Sequence, residues 1–313
     1  MPVEVNGFIR ASWKWAAAVL MLGLSFGAVV VLTSADQMVE QPELVSPGQA
    51  VQHVSAPRID ARLDFAGTIL PLERLGVRER MDRELLAGCF RHSTTILTLK
   101  RASRWFPLIE PILVDSGIPA DFKYLAVIES GLSQAISPAG AKGFWQFMPD
   151  AAHEFGLEVN ADVDERYHVE KATRAACAYL NEAHLRFGDW LMAAASYNMG
   201  MKGVESALEE QRGSSYWDLH LNRETARYVY RLYATKQIMV DPEAHGFYLA
   251  RYDLWGGRSS RDTLIDASIS SLADFAAAAD LSYNELKSLN PWLIADHLNV
   301  TEGQSYVLDL PLD

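Results

Sequence analysis

The stretch from residue 124 to residue 149, YLAVIESGLSQAISPAGAKGFWQFMP, narrows more than any other what this chain can become. Pro119 suits the first turn of a helix, and Ser130-Gly131 supplies its stop. Phe122, Leu125, Ala126 and Glu129 recur at i, i+3, i+4 and i+7, so the acid continues an apolar stripe. A charge there is costly. The cost falls when the carboxyl keeps its proton near neutral pH, as a general acid must, and the negative end of the helix dipole pushes the same way. Beyond the stop, Ser137-Pro138 opens a turn, and Gly140 and Gly143 let the backbone come close to a ligand. Trp145 offers a stacking face, and Gln146 a paired donor and acceptor. A salt-bridged glutamate followed by a surface loop is the ordinary reading of a lone Glu. The crowding of special residues over so short a span favours a site instead.

The whole chain sets the frame. Its 313 residues, 49% hydrophobic and 22% charged, accommodate one full-sized globular domain and smaller pieces. A net charge of −12 excludes a nucleic-acid partner, since no basic stripe is present to displace counterions from phosphates. It leaves a neutral glycan open. The acids concentrate in residues 265–313, where Lys287 is the only strong base. Cys89 and Cys177 have no metal-ligand spacing, so no metal or cofactor is expected, and both a disulfide and two buried thiols stay open.

In chain order, Arg10 and Lys14 precede an apolar run at 16–32 and the small residues Thr33-Ser34-Ala35. That is the pattern of an export signal, cleaved after Ala35 or kept as a membrane anchor with the body outside. Residues 36–74 read as a spacer. Helical patterns start near Arg78, and in the run 92–114 Pro107 and Pro111 should kink or divide the helix. Residues 160–168 form an acidic loop; Asp162, Asp164 and Glu165 lack the spacing of a calcium loop, so a solvated turn is expected. A helix at 169–187 stops at Gly188, and Asp189 caps the next, whose face of Leu191, Ala194, Ala195 and Asn198 ends in an amide beside Tyr197. Asn222 caps a further helix carrying Tyr228. Residues 241–264 read as a linker, and 265–313 as two short helices and a closing strand.

Four motifs stand in order: E-S at 129–130, S-P-A-G-A-K-G with F-W-Q-F-M-P at 137–149, A-S-Y-N-M-G at 195–200, and E-T-A-R-Y-V at 224–229. Together they resemble the signature of lytic murein transglycosylases, with tryptophan before the glutamine most similar to the membrane-bound D-type members. The run between Glu129 and Ser137 is one residue shorter than the usual family spacing. The resemblance implies an all-α, goose-lysozyme-like catalytic domain over residues 75–240, with Glu129 as the catalytic acid. It also implies Ser130, Ser137, Gly143, Trp145, Gln146, Tyr197, Asn198 and Tyr228 as supporting residues. The tail, L-S-Y-N-E-L-K-S-L-N-P and G-Q-S-Y-V-L-D-L-P, resembles a small α+β LysM module with a weak opening strand.

Glycoside hydrolysis ordinarily takes two carboxylates, and the motif region offers one convincing acid. A single glutamate suffices when the substrate supplies the nucleophile. The resemblance implies peptidoglycan strands as the partner, cleavage between N-acetylmuramic acid and N-acetylglucosamine, and 1,6-anhydromuramyl products. The site of action would be the periplasm or cell envelope, with membrane contact only through an uncleaved N-terminal segment. The rivals are a hydrolytic lysozyme, with Asp150 or Asp164 as base, and a non-catalytic cell-wall-binding protein.

Overall fold

The computed structural model describes residues 55–257 and 259–312. The apolar run 16–32 and the first part of the spacer lie outside the described residues. Residues 56–313 form one compact unit. Among the described residues, no helix is long and apolar enough to cross a membrane.

The larger core is helical from α1 onward. Helices α1 (Val77–Phe90) and α2 (His92–Asp115) lead to the short α3 (Lys123–Ser130), and α4 (Pro149–Glu154) follows the loop after it. Then come α5 (Val169–Phe187), α6 (Trp190–Met199), α7 (Met201–Gln211) and α8 (Thr225–Val240). Helix α8 is the hub, packing on α1, α3 and α6. It buries Tyr228, Val229, Leu232 and Tyr233, so most of its circumference is apolar contact. Ala193, Ala194 and Ala195 are also buried, and their small side chains let α6 lie close to its neighbours. Cys89 and Cys177 are buried free thiols, which settles the choice left open above.

Four expectations need correction here. Pro107 and Pro111 do not divide α2, which runs unbroken through both. Both prolines are exposed, so the carbonyls that lose their amide partners face water, which satisfies them. The larger helical core also draws on residues before 75. Strands β1 (Asp64–Phe65) and β2 (Thr68–Ile69) make a hairpin, and Phe65 is fully buried against Phe122 and Tyr233. Asp121 accepts from the Ala66 amide (2.8 Å) and from Lys236 (2.8 Å), tying the hairpin to α8.

The third correction concerns the tail. Its first strand, β3 (Ser260–Ile265), lies inside the expected linker and pairs antiparallel with β4 (Tyr306–Pro311), Ser260 opposite Pro311 and Ile265 opposite Tyr306. Only Ile265 of β3 is buried, so the strand shows no alternation to read; backbone pairing places it. Helices α9 (Leu272–Ala278) and α10 (Tyr283–Leu289) complete the module, each capped by a serine, Ser271 and Ser282.

The acidic loop is not a solvated turn. Val163 is fully buried within the module's own hydrophobic cluster, beside Leu293 and Trp292. The Asp164 amide donates to the Trp292 carbonyl (2.8 Å), and the Ile294 amide to the Asp162 carbonyl (2.9 Å). The carboxylates on the module side meet donors that the module supplies: Asn299 Nδ2 (2.7 Å) and His297 Nε2 (3.2 Å) reach Asp162, and Tyr306 reaches Glu158 (3.0 Å). Asp164 and Glu165 point inward to cations instead, Asp164 to Arg166 and Lys142 and Glu165 to Lys171. Val163→Asp would set an unpaired carboxylate among Leu293, Trp292 and Leu298. It is expected to cost about 3 kcal/mol of unfolding free energy in urea titrations. An unchanged midpoint would contradict the seating of this side chain.

Candidate active site

Glu129 sits in the last turn of α3, which ends as Gly131 takes the left-handed conformation (φ 61°). Helix α8 brings Tyr228 to it, and the tyrosine hydroxyl donates to Glu129 Oε1. Glu129 is half-buried. Burial is the main reason its carboxyl titrates above the ordinary carboxylate range. The Tyr228 hydrogen bond and the Arg231 guanidinium pull the other way, and the negative charge of Glu224 adds to the rise. The result is an acid biased toward its protonated form, next to a hydroxyl and a cation that stabilise the anion once the proton leaves. Burial, followed by the charge of Glu129, likewise drives the hydroxyls of Tyr197 and Tyr228 well above the usual phenol range.

Helix α6 delivers Tyr197 and Asn198 at its C-terminal end. Tyr197 donates to the Trp145 carbonyl (2.9 Å), linking α6 to the loop after Glu129. Asn198 Oδ1 accepts from Thr225 (2.8 Å), while its Nδ2 lies 3.4 Å from Glu224. Asn222 accepts from the amides of Glu224 and Thr225 (both 3.0 Å), fixing the start of α8. Thus the ends of α3, α6 and α8 converge on one carboxyl.

The loop residues hold the site's frame. Ser130 Oγ lies 2.9 Å from the Phe144 carbonyl and 3.1 Å from that of Ala126, fastening the loop to α3. Ser137 Oγ accepts from the Ala141 amide (3.0 Å), closing its turn. Gln146, at φ 50°, donates to the carbonyls of Gly143 (2.8 Å) and Ala135 (3.0 Å). Two expectations fail. Trp145 is fully buried and donates to Thr173 (2.9 Å), so it supports the loop from inside and offers no stacking face. Gly143 is a close-approach glycine, but toward Arg166: a Cβ there would lie 1.9 Å from the Arg166 carbonyl oxygen.

Arg166 in turn explains the acidic loop. It is 3% exposed, contacts Asp164 with Nε (2.8 Å) and Nη2 (2.7 Å), and directs Nη1 at the carbonyls of Gly140 and Phe147 (both 3.3 Å). Burial alone would raise the Asp164 carboxyl, but hydrogen bonds from Arg166 and Lys142 outweigh it and leave the pKa lowered. Asp164 is therefore an ion-paired strut. Asp150 is exposed in the first turn of α4.

Glu224, Thr225 and Arg231 escape the reading of the sequence. A signal was there: Glu224, Tyr228 and Arg231 fall at i, i+4 and i+7, one face of α8. Lys142 and Arg166 carry no such signal, because Lys142 reaches Asp164 across 22 residues and Arg166 reaches carbonyls 26 and 19 residues away.

Residues 115–220 match the Transglycosylase SLT domain, and residues 261–313 match the Soluble lytic transglycosylase C-terminal LysM-like domain. The chain is similar to the membrane-bound lytic murein transglycosylase D of Escherichia coli K12, with 28% identity over 241 residues, 74% of this chain and 51% of that protein. The chain thus spans about half the length of the curated relative it matches. Among solved structures, the 70 kDa soluble lytic transglycosylase of Escherichia coli aligns with a TM-score of 0.38 and 21% identity, over 49% of this chain and 26% of that one. The lytic transglycosylase Slt of Pseudomonas aeruginosa, in an inactive variant, aligns with a TM-score of 0.38 and 20% identity, over 57% and 33%. The chain carries a transglycosylase SLT domain followed by a LysM-like domain of the kind found at the C-terminus of soluble lytic transglycosylases.

Proposed function

We propose that this chain is a peptidoglycan lytic transglycosylase in which Glu129 alone serves as acid and then base. The observation that carries the reading is the Glu129 carboxyl, its pKa raised chiefly by burial and its Oε1 hydrogen-bonded by Tyr228. Glu129 protonates the glycosidic oxygen between N-acetylmuramic acid and N-acetylglucosamine, and the C1–O bond breaks. The muramyl N-acetyl group supports the cationic centre. The ionised Glu129, held by Tyr228 and Arg231, takes the proton of the muramyl C6 hydroxyl as that oxygen bonds to C1. The ring closes to a 1,6-anhydro sugar and Glu129 regains its proton, so no water is consumed. Tyr197 and Asn198 brace the acid's surroundings, and Ser130, Ser137, Gly143, Trp145 and Gln146 hold the loop that faces the sugar.

The similarity to a membrane-bound murein transglycosylase supports an envelope location, with residues 16–32 as leader or anchor. Mass analysis of muropeptides released from purified sacculi tests the reaction: anhydro ends lack one water relative to reducing ends. Reducing ends would favour a hydrolytic muramidase. Glu224 gives that rival its best footing, as a second carboxylate whose charge reaches Glu129. In that case Glu224→Gln should abolish turnover, whereas ring closure tolerates it.

Tyr228→Phe removes a hydrogen bond that lowers the Glu129 pKa, so that pKa rises further. The alkaline limb of turnover should move to higher pH, with turnover about tenfold lower from the lost charge-assisted bond. A pH profile that keeps its alkaline limb in place would count against Tyr228 as the acid's partner.

A further inference from the structure

The loop that follows Glu129 keeps its shape under strain. Between residues 131 and 146 five residues take positive φ, and two of them, Leu132 (54°) and Gln146 (50°), are not glycine. Side chains persist in that region only where the surroundings over-determine the backbone. The loop's own ladder is thin: single bridges join Ile136 to Lys142 and Lys142 to Phe147. Residues 164–167 supply several further fixings from outside. Lys142 Nζ donates to Asp164 (3.1 Å) and lies 5.5 Å from the centre of the Tyr167 ring. Gln134 Nε2 donates to the Tyr167 carbonyl (2.8 Å), and Arg166 Nη1 spans the carbonyls of Gly140 and Phe147.

The same segment is held by the LysM-like module. Val163 is buried in the module's cluster, and the Asp164 amide donates to the Trp292 carbonyl (2.8 Å). Asn299 and His297 reach Asp162, and the His168 ring lies 5.8 Å from that of Trp292. Residues 162–168 therefore lie between the module and the loop, with Val163 committed to one and the Asp164 and Arg166 side chains to the other. A planar guanidinium fixed on Asp164 by two bonds has little choice of where its third nitrogen points. Where the module seats Asp164, it also sets Arg166, and with Arg166 the carbonyls of Gly140 and Phe147.

We propose that Arg166 is a positioning residue for the loop beside Glu129 and that the LysM-like module sets its place, so that the module governs the rate of turnover independently of any hold on the wall. A module that only tethered the chain would need no residue of the α4–α5 connection inside its own hydrophobic cluster. Small displacements of a loop that orients a substrate cost large factors in rate, even when they originate far from the reacting atoms. The inference rests on the transglycosylase reading for the reaction that is tuned, and on the contacts of residues 162–168 for the coupling.

The test uses the full chain and two variants. Arg166→Lys keeps a charge for Asp164 but gives up the fork, whereas Val163→Ala thins the seat in the module and leaves Arg166 in place. The readouts are kcat and KM on soluble glycan strands, retention on sacculi, and hydrogen exchange of the Lys142 and Gly143 amides. Those amides donate to the carbonyls of Phe147 (3.1 Å) and Ala135 (3.0 Å). In Arg166→Lys, kcat should fall on the order of ten- to a hundredfold, and in Val163→Ala roughly threefold. KM and retention should hold, and both amides should exchange faster. A lower melting temperature with kcat unchanged would make the strut merely structural and overturn the proposal. A raised KM or lost retention at unchanged kcat in Val163→Ala would leave the module a wall binder alone, and overturn it too. If Arg166→Lys fails to fold, Val163→Ala decides by itself. Exchange needs no reaction, so faster exchange in the variants of a protein whose wild type releases no muropeptides would keep the coupling and remove the transglycosylase reading.

Discussion

Glu129→Gln should lower muropeptide release from sacculi by about 10²–10⁴-fold while the protein stays folded, because a positioned acid–base group typically contributes that much. The amide keeps the shape and still accepts from Tyr228, so circular dichroism and retention on sacculi should match the wild type. Wild-type turnover by this variant would sink the catalytic assignment. The substitution also has a signature in stability. The folded protein raises the Glu129 pKa above its ordinary 4.5, chiefly through burial, so folding binds a proton between the two values. That stabilisation is fully present below the ordinary pKa and is lost as pH rises through the folded one. Glutamine has no charge to bury. The variant should therefore gain on the wild type in denaturation midpoint as the medium goes from about pH 4 to about pH 8. A gap that closes with rising pH would contradict the buried-acid description.

Gly143→Ala is expected to be among the most damaging single-methyl additions available in this chain. The residue has φ 77°, and its new Cβ would sit 1.9 Å from the Arg166 oxygen and 2.8 Å from the Arg166 carbonyl carbon. Backbone meets backbone there, so no side chain can swing aside. A loss on the order of 3 kcal/mol, or roughly 6–12 °C in melting temperature, is expected. Gly140→Ala is the control. Its φ is 89° but nothing lies within 4 Å, so only the conformational cost of about 1 kcal/mol applies. Equal melting of the two variants would show that the contact with Arg166 does not constrain the loop.

These residues show where a sequence can be read and where it cannot. The span Val169–Phe187, its stop at Gly188 and the Asp189 cap on the Met192 amide (2.8 Å) are all local, and each is legible from residue type and spacing. Glu129 is legible for the same reason: its helix stripe and stop lie within ten residues. The partnership with Tyr228 joins residues 99 apart and came only through resemblance to a known motif pattern. Strands β1 and β2, two residues each, are too short for any period. Trp145 reads as a ligand platform because an indole beside a glycine-rich loop often is one; here Thr173, 28 residues on, claims it for the core. The acidic loop misleads most. Four carboxylates in eight residues suggest water, and the module and Lys142 that help absorb them arrive from elsewhere in the chain.

The seating of Val163 changes what truncation experiments can mean. Cutting the chain before residue 260 would do more than detach the LysM-like module. It would uncover a buried valine, strip Asp162 and Glu158 of the donors that the module supplies, and loosen the Asp164–Arg166 strut that holds the Gly140 and Phe147 carbonyls. A crippled fragment would then report a collapsed loop, and lost retention on the wall would be blamed wrongly. Separating the two roles calls for substitutions on the module's outer surface, with the joint left whole.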